Sequence, residues 1–207
     1  MTPALAASLA LPKIVSPDYQ AAIATKLGAH HYRLVGLEIT VAPAQTFNYG
    51  LVLFGASNAE EGQTTIASIA HDLVLDRVYI HGTDVVSLKR CVALNSAATA
   101  IIDSWLSACH AEGQDAQAIG GWNGPGPFKI VNNYLEGAAE NILFGGADPS
   151  IPNLVPSDIE IRRNHITKPT SWHGGRWLIA LFQNTPAQFH GRPELAQQLT
   201  AELRELL

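Results

Sequence analysis

Charge is scarce in this chain. Only 15% of its 207 residues are Asp, Glu, Lys or Arg, and the formal net charge is −5. A basic face that could track nucleic-acid phosphates is therefore not expected. Cysteine is scarcer still, with Cys91 and Cys109 alone, at a separation that matches no zinc-ligand pattern. The pair could be bridged, but burial as small apolar thiols is the expected state. Eight histidines are present without a His-x3-His or similar spacing, and Asp76, Asp103 and Asp148 share no repeat position. Neither zinc nor calcium is expected on those grounds, and no metal or cofactor is assigned. No run approaches the roughly 18 apolar residues of a membrane-spanning helix. Residues 1–11 hold a short apolar patch with no Lys or Arg before it, which makes a poor secretion signal.

What is present points to a β-rich fold. Hydrophobic residues make up 47% of the chain, enough for a core, and 17 Gly and 12 Pro suit many short strands better than a helical bundle. A six-residue phrase recurs as Leu75-Asp-Arg-Val-Tyr-Ile80, Ile101-Ile-Asp-Ser-Trp-Leu106, Ile130-Val-Asn-Asn-Tyr-Leu135 and Ile161-Arg-Arg-Asn-His-Ile166, with a fainter copy at Leu34-Val-Gly-Leu-Glu-Ile39. The closing aliphatics are spaced by 41, 26, 29 and 31 residues, a period that signals a solenoid. Another strand lies between successive phrases, as in Gly50-Leu-Val-Leu-Phe54 and Cys91-Val-Ala-Leu-Asn95. Three short parallel strands per turn of chain, stacked about 4.8 Å apart, make a parallel β-helix.

The chain divides into an entry segment at 1–29, a β-helix of about five coils at 30–182, and a tail at 183–207. Ser16-Pro17-Asp18 reads as a helix start and Gly28 as a stop, predicting a short N-terminal helix over 17–26, with a strand in part of the entry segment as the alternative. Residues 57–70 read as a loop that lengthens the first spacing. Leu195, Leu199 and Leu203 fall on one face of an amphipathic helix over 193–206 that would cap the solenoid. Ser104, Asn133 and Asn164 occupy one turn position and should form a ladder, because Asn tolerates tight turns and bonds neighbouring amides. Tyr79, Trp105, Tyr134 and His165 form an outward column, read as stacking rather than binding.

The repeat over 30–182 resembles the right-handed parallel β-helix repeat proteins of the pectate-lyase-like superfold. The stretches Asp115-Ala-Gln-Ala-Ile-Gly-Gly-Trp-Asn-Gly-Pro-Gly-Pro-Phe128, Asn132-Asn-Tyr-Leu-Glu136 and Glu140-Asn-Ile-Leu-Phe-Gly-Gly-Ala-Asp148 are similar to a bacterial subgroup of unassigned activity. The resemblance implies an extracytoplasmic protein that meets polysaccharide. Gly113-Gln-Asp115-Ala-Gln-Ala-Ile119 also faintly resembles the Asp-bearing strand of polygalacturonases, without that family's His-bearing turn or basic motif.

Aligning the intermediate strands on inward pairs Leu51/Leu53, Val92/Leu94, Gln117/Ile119 and Ile142/Phe144 places Arg90, Asp115 and Glu140 in one column. Arg176 follows if Leu178 and Ala180 continue it within a last strand over 177–182. Two carboxylates on neighbouring coils are what glycoside hydrolysis needs, so Asp115 and Glu140 are the candidate catalytic pair of a lyase or hydrolase. Arg90 and Arg176 would hold an acidic sugar's carboxylate. Trp122 would stack on a sugar ring, with Gln117 and Asn123 beside it as further substrate contacts. The alternative is a non-catalytic glycan-binding or structural module, in which the column is an ion-pair ladder.

Overall fold

The computed structural model describes residues 1–179. It is almost all β, and three parallel sheets stacked along the chain direction carry it. The first sheet has six strands: Lys13–Ser16, Glu38–Val41, Tyr79–His81, Trp105–Cys109, Tyr134–Gly137 and His165–Thr167. The second has five: Ile23–Ala24, Val52–Phe54, Arg90–Leu94, Gln117–Gly121 and Glu140–Phe144. The third also has five: His30–Val35, His71–Asp76, Ala97–Ile102, Gly126–Val131 and Ile159–Arg162. The chain visits the sheets in rotation, so each strand pairs with one a full circuit away. That is the architecture of a β-helix-like solenoid.

The recurring phrase sets this register. Its opening aliphatics Leu34, Leu75, Ile101, Ile130 and Ile161 are paired in sequence across the third sheet. Its closing aliphatics Ile39, Ile80, Leu106, Leu135 and Ile166 are paired across the first. Between them the turn residues form a ladder. Asn133 Oδ1 accepts from the Ser104 N–H at 2.9 Å, and Asn164 Oδ1 accepts from the Asn133 N–H at 2.9 Å. The amides of Asn133 and Asn164 donate to the Ile101 and Ile130 carbonyls. On the outer face, Trp105, Tyr134 and His165 stack, with ring centroids 3.6 Å and then 5.2 Å apart.

Two expectations about the ends need correction. The short N-terminal helix lies at Pro3–Ser8, with Thr2 as its cap and Pro3 in its first turn, and not over 17–26. Ser16 Oγ reaches the Asp18 and Gln20 carbonyls at 2.9 and 2.6 Å, and the buried Asn48 donates to the same two. Those carbonyls are thereby taken from any helix, and Ile23–Ala24 pairs with Val52–Leu53 instead. The solenoid thus begins inside the entry segment. At the other end, Trp177 makes an isolated antiparallel bridge to Glu112, so residues 177–179 do not continue the second sheet. The capping helix expected over 193–206 lies outside the described residues.

The cysteines also differ from expectation: Cys91 and Cys109 form a disulfide. Cys91 is the second residue of the strand Arg90–Leu94 in the second sheet and Cys109 closes one of the first, and the corner between them brings their Cα atoms to 5.6 Å. Closing a loop of this length contributes about 3 kcal/mol by restricting the unfolded chain.

Candidate functional site

The second sheet presents the candidate residues on its outer face. Its strands enter around a corner, so Leu51/Val52, Cys91/Val92 and Ala118/Ile119 are buried consecutively in the core rather than alternately. The residue before each pair therefore faces away from the core, and so does the one after it. Register pairs Arg90 with Gln117 and Gln117 with Glu140. The column is Arg90–Gln117–Glu140, not Arg90–Asp115–Glu140. The expected alignment slipped by two because Gly121 holds the place that Phe54, Leu94 and Phe144 hold on neighbouring coils. A Cβ at Gly121 would stand 2.4 Å from the Leu94 carbonyl oxygen, so this inward position cannot carry the aliphatic the pattern calls for.

Gln117 nevertheless gathers the two carboxylates. Its amide Nε2 donates to Asp115 Oδ2 at 3.0 Å and to Glu140 Oε2 at 2.8 Å. Two hydrogens on one planar nitrogen put those acceptors about 5 Å apart. Gln117 itself is fully buried, and its Oε1 has no partner among the described residues. Lys168, outside the expected set, lies near Glu140. Its ammonium donates to the carbonyls of Gly137, Ala138 and Ala139 at 2.7–2.8 Å. Burial draws the Lys168 pKa down, and the nearby Glu140 works against that.

On the other side of Gln117 lies Arg90, whose guanidinium sits 4.7 Å from the centre of the Trp122 ring. Its Nε is buried without a hydrogen bond. Burial lowers the Arg90 pKa, while Asp115 and Glu140 favour its charge from beyond hydrogen-bonding distance. The room for this arginine comes from Gly120, where a Cβ would stand 3.1 Å from Arg90 Nε.

Trp122 is half-buried, and its indole N–H donates to the Ser57 carbonyl at 2.9 Å, so the loop over 57–70 forms a wall of the site. One indole face is taken by Arg90 and the polar edge by Ser57. Asn123 is not free to touch a ligand. It is fully buried, donating to the Ala56 carbonyl and Ser150 Oγ while accepting from the Ser150 N–H. Arg176 is elsewhere, donating to the Val85 carbonyl and lying 4.1 Å from the Trp177 ring centre.

Arg90, Asp115, Gln117, Trp122 and Glu140 thus converge on one face, while Asn123 belongs to the scaffold and Arg176 to another part of the surface. The signal for the missed Lys168 was its position two residues after the closing aliphatic Ile166, next in register to the turn before Glu140. Among the described residues, no helix is long and apolar enough to cross a membrane. Comparison with protein-family models, with curated proteins and with solved structures finds no match.

Proposed function

We propose that the protein is a right-handed parallel β-helix module of the pectate-lyase-like kind that binds an acidic glycan along the outer face of its second sheet. The observation that carries this reading is Arg90: a half-buried guanidinium stacked on an indole and free of any ion pair among the described residues. An exposed arginine gains little from a carboxylate ligand, whereas a desolvated one with unused N–H donors gains a charge-assisted, bidentate hydrogen bond. A uronate carboxylate supplies that partner, and the half-buried Trp122 beside it supplies the apolar contact for its ring.

The carboxyl pair favours binding over cleavage. Both Asp115 and Glu140 accept a hydrogen bond from the same Gln117 amide, and the amide fills the space between them. A cleaving pair needs one protonated acid and an open gap for the sugar. A separation of about 5 Å is also the spacing of retaining glycosidases, and this keeps hydrolysis as the second reading. The disulfide suits the oxidising, extracytoplasmic setting in which such glycans occur.

Binding to polygalacturonate and alginate oligomers, measured by calorimetry alongside assays for unsaturated products and new reducing ends, separates the readings. Retention without product is expected. Arg90→Gln is expected to weaken binding at least tenfold, about 1.4 kcal/mol, and to abolish preference for acidic over neutral oligomers. Trp122→Ala should weaken both classes. Product formation lost in Asp115→Asn would establish cleavage instead, and equal affinity for neutral and acidic chains would remove Arg90 from recognition.

A further inference from the structure

The outer face that carries Arg90 continues toward the first coil and ends in a pocket. Register runs Ala24, Leu53, Ala93 and Gly120 along one column of the second sheet. Arg90 rests on Gly120 at one end of that column, and Ala24 and Leu53 floor a cavity of about 210 Å³ at the other. Ala93 carries only a methyl group, so the column raises no barrier between the two. Strands stack about 4.8 Å apart, which puts Leu53 and Gly120 about 10 Å from one another. A short oligosaccharide spans that distance.

The pocket is set before any ligand arrives. Gln63 is fully buried, with its Oε1 accepting from the Ala56 N–H at 2.9 Å and its Nε2 donating to the Asn95 carbonyl at 2.9 Å. Those bonds fix the loop that forms one wall. The same loop shuts the far side at Gly62, where a Cβ would stand 2.9 Å from Leu27 Cδ1. Ile23–Ala24 is also the last strand of the second sheet in this direction.

Leu27 and Leu53 give the lining an apolar body, and Thr25 and Lys26 give it polar groups. Thr25 Oγ1 accepts from the Gly55 N–H at 2.8 Å, which leaves its own hydrogen for a ligand oxygen. Lys13 and Lys129 are ion-paired, whereas Lys26 has no such partner among the described residues. Glu61, the one carboxylate in the lining, is turned to its own loop. It accepts from the Ser57 N–H at 2.9 Å and from Asn58 Nδ2 at 3.2 Å.

We propose that this pocket takes the terminal uronate of an acidic glycan, with Lys26 on its carboxylate, so that the protein binds chain ends rather than chain interiors. The proposal rests on the reading of Arg90 as a carboxylate site. Arg90 then holds a unit further along the same chain, and the meeting of Leu27 with Gly62 stops the chain from passing through. Engaging one carboxylate raises the effective concentration of the other, so two modest contacts on one chain reinforce each other.

Calorimetry of the full chain with trigalacturonate and dodecagalacturonate at pH 7.5 tests this. One protein per oligomer is expected at both lengths, whereas interior binding loads two or more copies on the longer one. Lys26→Gln should weaken binding about fivefold, the upper range for an exposed ion pair. Lys129→Gln, on the third sheet, should bind as the parent does. Leu27→Ala removes a side chain that is 49% exposed, so the fold survives, and it should raise the number of copies on dodecagalacturonate above one. Two or more copies per dodecamer in the parent, or affinity untouched by Lys26→Gln, would overturn end recognition. Binding that Arg90→Gln still weakens would, in that case, leave the reading of Arg90 standing. Failure of the parent to bind either oligomer would remove both.

Discussion

Asn133→Ala is expected to destabilise the fold by about 4 kcal/mol, the largest effect of any polar substitution considered. Asn133 is 3% exposed and holds three groups at once. Its Oδ1 accepts from the Ser104 N–H, and its Nδ2 donates to the Ile101 carbonyl and to Asn164 Oδ1. Alanine leaves a buried backbone donor and a buried carbonyl unpaired, at about 1–3 kcal/mol each, and opens a gap in the turn ladder between two coils. Serine should recover part of the loss, because Ser104 already performs a reduced version of the task one coil earlier. Its hydroxyl accepts from the Val78 N–H at 3.1 Å and donates to the Ile102 carbonyl at 2.7 Å. Asn164→Ala, on the last described coil and half-buried, should cost less than half as much. Urea unfolding with an unchanged m-value measures each. A loss below about 1 kcal/mol for Asn133→Ala would mean that the ladder accompanies the fold without holding it.

The parts of the fold legible in the sequence share one property: each repeats a side chain that only one environment satisfies. Aliphatics at both ends of the phrase had to face inward, and an asparagine between them had to bond its neighbour's amide. Spacing alone therefore gave the register of the first and third sheets. The second sheet lacked such a marker. Its inward position at Gly121 is filled by a close backbone approach that no hydrophobic pattern reveals, so the alignment moved two residues and exchanged Gln117 for Asp115. The disulfide was hidden for a related reason. Cys91 and Cys109 lie in different sheets, and their approach depends on a corner where two successive residues turn inward. At the N-terminus, Ser16 carried the residue type of a helix cap, but its hydroxyl serves two carbonyls of an extended turn. The candidate site was legible as a set of residue types in one neighbourhood. Its geometry depends on one buried amide and one glycine, which only the register supplies.

Acid is expected to weaken the fold through His110, by about 3 kcal/mol between pH 6.5 and pH 4. This imidazole is 1% exposed, and its Nδ1 has no hydrogen-bond partner. Trp177 stacks on it at 3.7 Å and Trp172 meets it edge-on at 5.1 Å. Burial lowers its pKa to about 4, and of the facing charges Arg176 opposes protonation while Asp84 favours it. Above about pH 6.5 the ring is neutral in both the folded and unfolded chain, and its titration costs nothing. As pH falls below that value the unfolded chain takes up a proton that the folded chain refuses. Stability then declines by about 1.4 kcal/mol per pH unit until the folded pKa is reached. His110→Phe keeps the aromatic packing and removes the titrating group, so its stability should fall less steeply over the same window. The carboxylates whose pKa the fold lowers, Asp76 beside Arg77 and Arg33 among them, act mainly below it. Urea midpoints measured from pH 7.5 to pH 4 for parent and variant give the comparison directly. Parallel curves for the two proteins would show that His110 is protonated in the folded state and would remove it as the origin of the acid response.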